Sequence, residues 1–124
     1  MKTPELLSRY AAGQRNFSGI NLIAAKLRSV NLRRVNFSEA DLTHVNLSYS
    51  CLSGADLRNA NLWNTNLTGA NLSGANLSGA NLTGTNFTGA NLTGVKFEQS
   101  NLKDASIEGA TMPDGVVRDR LSER

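Results

Sequence analysis

Every fifth residue from Phe17 to Met112 is large and apolar, twenty positions in one unbroken register. Fourteen are Leu, four are Phe, and Ile107 and Met112 close the series. A period of five matches neither the 3.6-residue turn of a helix nor the two-residue alternation of an uninterrupted strand. It matches a short extended segment followed by a corner. Among three extended residues the first and third side chains point one way and the second points the other. Two residues before each apolar centre stand ten Ala and four Val, and the residue between is Asn or Asp in fifteen of twenty units. The small residue and the centre therefore face inward, and the amide faces out. Of the two corner residues that follow, the first is often Ser or Thr and the second is Gly in nine units. A type II turn needs positive φ at that second residue, which Gly adopts without steric penalty.

Four corners close a square coil of twenty residues, and stacked coils pair their backbones at about 4.8 Å. Residues twenty apart then lie above one another, so Phe17, Phe37, Leu57, Leu77 and Phe97 share one inner column. The segment Ala70-Asn71-Leu72-Ser73-Gly74 shows the unit undiluted. This pattern resembles the pentapeptide-repeat family, whose plainest motif is A(N/D)LXX, across residues 15–114. The resemblance implies an all-β fold, a right-handed quadrilateral β-helix. With a repeat region of this length the solenoid has about five coils, a rod on the order of 24 Å long at that spacing.

The corners divide the rod. Gly69, Gly74, Gly79, Gly84, Gly89 and Gly94 are six consecutive corners suited to type II turns. Ala24, Ser29, Arg34, Glu39, His44 and Tyr49 carry a Cβ, which predicts a different turn and a change of turn type near residues 50–70. The outward amides, stacked coil on coil, are expected to hydrogen-bond to each other.

Open ends of a stack expose apolar centres and need caps. Residues 1–14 read as a short capping helix and link: Thr3 as N-cap, Pro4 at the first helical position, Glu5 in the first turn and Gly13 as terminator. Leu6, Leu7 and Tyr10 would lie over Phe17. Met112-Pro113-Asp114-Gly115 is a turn signal that stops the repeat. Residues 115–124 form a C-terminal tail, either a short strand with a charged end or a segment that docks on a second subunit.

Composition points away from chemistry. The sole histidine, His44, stands at a corner without a partner set of metal-ligand spacing. Cys51 replaces an outward Asn, has no base partner to activate it, and reads as an inert exposed thiol. The glycines punctuate every fifth residue and never open a helix, so they are no phosphate cradle. No catalytic, cofactor or metal site is expected, and the chain reads as non-enzymatic. A single cysteine allows no internal disulfide, no apolar run suits a bilayer span, and the N-terminus lacks an apolar signal core. These features place it as a soluble cytoplasmic protein with no membrane partner.

Functional information lies where the surface departs from the repeat. Ile23 and Trp63 share one outward corner column, with Thr43 between them and His44 alongside; Lys26 lies on the neighbouring face, with Arg28 and Tyr49 at its far corner. Trp, Tyr and Arg beside Ile is the composition of an interaction hot spot. The leading reading is a protein-interaction or scaffold solenoid, with a homodimer through the C-terminal end as a further expectation, since members of the resembled family often dimerise. The same resemblance supplies an alternative, because some members mimic DNA and bind DNA gyrase. That mimicry needs a strongly acidic surface, whereas this chain carries a net charge of +3 and a pI of about 9.4. A third reading takes Arg33, Arg34 and Arg58 as a basic patch for nucleic acid, against which stands the thin aromatic content of 6%.

Overall fold

The computed structural model describes residues 1–121. One helix, α1 (Thr3–Ala11), precedes a continuous stack of four-sided coils. Parallel bridges join residues twenty apart in four ladders: Asn16 to Asn36, Asp56, Asn76 and Lys96; Asn21 to Asp41, Asn61, Asn81 and Asn101; Lys26 to Asn46, Asn66, Asn86 and Ser106; Asn31 to Cys51, Asn71, Asn91 and Thr111. Each face is named below by its first outward residue.

The bonding of one unit shows why five residues suffice. Asn71 N–H donates down to Ser50 O at 2.9 Å, while Leu72 N–H and Gly74 N–H donate up to Asn91 O and Thr93 O, both at 2.8 Å. Ala70 N–H closes the preceding corner on Leu67 O at 3.0 Å. The one amide left over, Ser73 N–H, donates to the side-chain Oδ1 of Asn71 at 3.0 Å. The outward Asn is thus an acceptor for its own backbone two residues on. The same bond recurs from Asn16 to Asn101 and also uses Asp41 and Asp56. This corrects the expectation of amides bonded coil to coil, for which Asn81 Nδ2 to Asn61 Oδ1 at 3.2 Å is the example found. The outward oxygen turns to its own corner N–H, and at Asn61 the two bonds coexist, since Oδ1 takes Trp63 N–H at 3.1 Å as well as Asn81 Nδ2.

The corners correct a second expectation. Every second corner residue from Gly19 to Gly109 has positive φ, including Ala24 (61°), Arg34 (59°), Glu39 (60°) and Tyr49 (59°). The first corner residues have no positive φ, so the turn keeps type II character along the stack and does not change near residues 50–70. Stacking dictates this uniformity. The corners from Gly19 to Gly94 each donate to the corner above, as Ala24 N–H does to Thr43 O at 2.8 Å, and a different turn would break that ladder. Left-handed strain at a residue with a Cβ is the smaller penalty.

The interior follows the expected columns. The Leu and Phe centres from Phe17 to Leu92 are buried, with Ala and Val of the inward slot between them. Phe17 and Phe37 stack with ring centroids 6.2 Å apart. Phe87 and Phe97, from opposite columns, meet edge to face at 6.5 Å near the far end. Ser50, Thr65 and Thr85 take the inward slot and bond the coil beneath, Thr65 Oγ1 donating to Leu42 O at 2.7 Å and Thr85 Oγ1 to Leu62 O at 2.6 Å, while Ser100 Oγ donates to Phe97 O in its own coil. No buried side-chain N or O among the described residues lacks a hydrogen-bond partner.

The N-terminal end is covered by α1, whereas the C-terminal end is covered only in part. In α1, Leu6 is buried and Leu7 and Tyr10 pack against the first coil. The N-cap is Lys2 rather than Thr3, with no side-chain cap bond, and Thr3 and Pro4 are the first helical residues. Pro4 needs no N–H partner there, which lets the helix begin one residue early. At the other end of α1, Gly13 has φ 105°, Gly13 N–H donates to Tyr10 O and Gln14 N–H to Arg9 O, a Schellman motif. The C-terminal segment folds back on the rod: β2 (Val117–Arg118) pairs antiparallel with β1 (Ala110–Thr111) across the turn at Gly115. Residues 122–124 of the expected tail lie outside the described residues.

Candidate interaction surface

The Lys26 face, about three extended residues or 10 Å wide, is bounded by two corners that carry the expected residues. One holds Ile23, Thr43, His44 and Trp63; the other holds Arg28 and Tyr49. His44 and Trp63 touch edge to face, with ring centroids 5.0 Å apart, while His44 N–H donates to Trp63 O at 3.0 Å. The Arg28 guanidinium carbon stands 5.1 Å from the centroid of the Tyr49 ring. The six residues thus form two pairs, one on each edge of a single face, with Ile23 below one pair and Lys26 between.

Ile23, Tyr49 and Trp63 are exposed by 49%, 56% and 42%. The remaining large exposed apolar residues among those described are terminal: Met1, Val116, Val117 and Leu121. Within the repeat, then, the large exposed apolar side chains among the described residues stand at the two corners that bound the Lys26 face. The surrounding hydroxyls are turned inward on their own corners, as in Ser48 Oγ to Asn46 Oδ1 at 2.7 Å and Thr88 Oγ1 to Asn86 Oδ1 at 2.6 Å. The outward Asn46, Asn66 and Asn86 accept at their own corners through Oδ1, which leaves their NH2 groups as the polar donors between the two aromatic edges.

Tyr49 is held by its neighbours. Its ring lies over Gly69, where an added Cβ would come within 2.5 Å of Tyr49 Cε1. Side chains on other corners lean over the glycine above in the same way: Arg34 over Gly54, Asn59 over Gly79 and Asn64 over Gly84. This relation was not read from the sequence, although a bulky corner residue followed by Gly twenty residues later is its visible trace.

The basic residues are not brought together. Arg33 and Arg34 share the corner between the Asn31 and Asn16 faces. Arg58 stands on the next corner and is engaged by Asp56 through Nε to Oδ1 at 2.9 Å and NH2 to Oδ2 at 2.8 Å. The Arg58 guanidinium holds the Asp56 carboxyl below its ordinary value, against the smaller opposing effect of burial. Cys51 is partly buried, with Sγ 3.5 Å from Ser53 Oγ, so it is less open than expected. Among the described residues no group of three His, Cys, Asp or Glu could hold a metal ion, and no helix is long and apolar enough to cross a membrane.

Ladders of residues twenty apart, corners every five and an outward Asn bonded to its own corner define a class, the pentapeptide-repeat solenoid. The family of pentapeptide repeats (8 copies) matches residues 16–50, 50–89 and 80–114, and the chain belongs to it. Proteins of this family form right-handed quadrilateral β-helices and are generally structural or interaction proteins rather than enzymes. A pentapeptide repeat protein from the Arabidopsis thaliana thylakoid lumen is similar at 31% identity and a TM-score of 0.64, covering 88% of this chain and 73% of that one. A pentapeptide repeat protein (Rfr23) from the cyanobacterium Cyanothece 51142 is also 31% identical, covering 82% of this chain and 92% of that one, with a TM-score of 0.45. QnrB1, a plasmid-mediated fluoroquinolone resistance protein, is 18% identical over 78% of this chain and 62% of its own, with a TM-score of 0.38. No curated protein matches the chain.

Proposed function

We propose that this protein is a non-enzymatic interaction scaffold of about five coils that presents the Lys26 face to a protein partner. The observation that carries this reading is the confinement of Ile23, Tyr49 and Trp63 to the two edges of that face. Each aromatic ring is braced before any partner arrives, Trp63 by His44 and Tyr49 by Arg28 and Gly69. Rigid aromatic anchors lose little conformational freedom on binding, which is why they dominate interface energies.

The test is capture of a partner from the native host's lysate, in the cytoplasmic fraction that the lone cysteine favours, at low and at high salt. One protein should be retained by wild type at both salts, lost with Trp63→Ala or Tyr49→Ala, and kept with Arg58→Ala. Equal capture by Trp63→Ala and wild type would rule the face out.

The far end supports self-association as a second reading. Phe97, Leu102 and Met112 are only partly covered there, and Val116, Val117 and Leu121 are exposed beside them. A two-fold contact through that end would bury them. Sedimentation of wild type as a dimer, and of Val117→Lys as a monomer, is the expected result; a wild-type monomer at high concentration would exclude it.

A further inference from the structure

Tyr10, Arg15, Asn31, Arg33 and Arg34 line an open hollow of about 320 Å³ where α1 meets the Arg33–Arg34 corner. It lies away from the Lys26 face and owes nothing to the reading given for that face. The Tyr10 hydroxyl donates to Arg33 O at 2.9 Å and ties the helix to the corner. The Arg15 guanidinium lies 3.8 Å from the centroid of the Tyr10 ring, and its NH1 donates to Tyr10 O and Gln14 O at 2.9 and 3.0 Å. One nitrogen therefore fixes Arg15, and the N–H groups on Nε and NH2 remain for a ligand.

The charges around this hollow are unbalanced. Arg9, Arg58 and Arg118 are each paired with a carboxylate, but Arg15, Arg33 and Arg34 have no ion pair among the described residues. No carboxylate lines the hollow. Three like charges in a concavity repel one another and concentrate a positive field, which draws in an anion. Guanidinium forks match the oxygens of phosphoryl and carboxylate groups alike. Charge decides between them: a phosphoryl group brings close to two negative charges and three acceptor oxygens, where a carboxylate brings one charge and two oxygens. The lining is polar except for the Tyr10 ring, one face of which Arg15 already covers. A ligand with a large apolar body has nothing further to pack against.

We propose that this hollow binds a compact phosphorylated anion, with its phosphoryl oxygens bridging Arg33, Arg34 and Arg15. Binding would clasp α1 to the first coils and so brace the N-terminal cap.

The experiment is calorimetric titration of the full chain with inorganic pyrophosphate, with citrate and a single-stranded oligonucleotide as comparison ligands. The double variant Arg33→Ser/Arg34→Gly copies Ser53-Gly54, the corner directly above, so the fold should be kept, as circular dichroism would verify. Pyrophosphate should bind saturably at one site per chain and raise the melting temperature. The double variant should lose about tenfold or more in affinity, since charge-assisted bonds to two guanidiniums are removed. Arg58→Ala, paired with Asp56 on the next corner, should bind as wild type does. Absence of saturable binding, equal binding by the double variant, citrate binding as tight as pyrophosphate, or binding of the oligonucleotide alone would each overturn the proposal.

Discussion

The Tyr49 ring rests on the bare Cα of Gly69, one coil further along, in the space that a methyl group would need. Gly69 therefore meets two demands at once, a φ of 66° and an unobstructed surface for the ring. Gly74, on the next corner, has φ 71° and nothing within 4 Å of an added Cβ. Gly69→Ala and Gly74→Ala share the backbone penalty, about 1 kcal/mol. Only Gly69→Ala should also displace Tyr49 and release Arg28. A double-mutant cycle of Tyr49→Ala with Gly69→Ala should show coupling of about 0.5 kcal/mol or more in thermal melts, and Tyr49→Ala with Gly74→Ala none. Equal coupling in the two cycles would disprove the stacking of Tyr49 on Gly69.

The outward Asn serves the backbone, which separates acceptor from amide. Asn66 Oδ1 receives Thr68 N–H at 3.0 Å. Asn66→Ala should destabilise by about 1 kcal/mol, the net worth of one such bond. Asn66→Asp keeps the oxygen and should stay within a few tenths of a kcal/mol of wild type, as Asp41 and Asp56 do the same work natively. Equal loss in both variants, measured by urea unfolding, would return the role to the amide NH2.

Leu67 lies buried near the middle of its column, and its N–H and C=O both join the backbone network, to Asn86 O and from Ala70 N–H. A charge there has no partner and no route to water, and deleting the side chain forfeits about 1.5–3 kcal/mol of burial. Leu67→Lys should abolish folding. Persistent β-type circular dichroism with a cooperative melt in that variant would contradict the stacked interior.

The Asp56–Arg58 pair makes a small contribution to stability that acid removes. Its folded carboxyl is lowered, chiefly by the Arg58 side-chain hydrogen bond, so the stability it adds is present above the ordinary Asp value of about 3.9. That stability is lost as pH falls through the lowered folded value. Asp56→Asn keeps an acceptor for Arg58 N–H but removes the charge. It should reduce stability at pH 7 by less than about 1 kcal/mol, as expected for an exposed pair, and flatten the fall below pH 4. Parallel pH profiles for the two proteins would show that the pair contributes nothing.

Much of the architecture was legible because the repeat is short and the solenoid is regular. Leu67 could be placed inside, above Leu47 and below Phe87, by counting alone. The partners on the Lys26 face could also be assembled by counting, since Ile23, Thr43 and Trp63 differ by twenty. Counting fails where a side chain chooses between neighbours. The amide of Asn71 had a stacked partner available in the register, but its oxygen took the corner N–H two residues away. Lys2 rather than Thr3 became the N-cap because the helix accommodates Pro4 in its first turn.

The sequence by itself determined the register, the inward columns, the position of every corner and the residues offered at each edge. Period and polarity fix these, since moving any unit by one residue would put an amide inside and a leucine outside. The tertiary structure decided the conformation of the corners, the pairing of charges and the hollow beneath α1. Glu39 and Tyr49 by local preference avoid positive φ, yet both adopt it because their N–H groups must meet the carbonyls of Arg58 and Thr68 in the coil above. Arg58 found Asp56 on its own face, while Arg15, Arg33 and Arg34 met around Tyr10 only once the helix had docked on the open end of the stack.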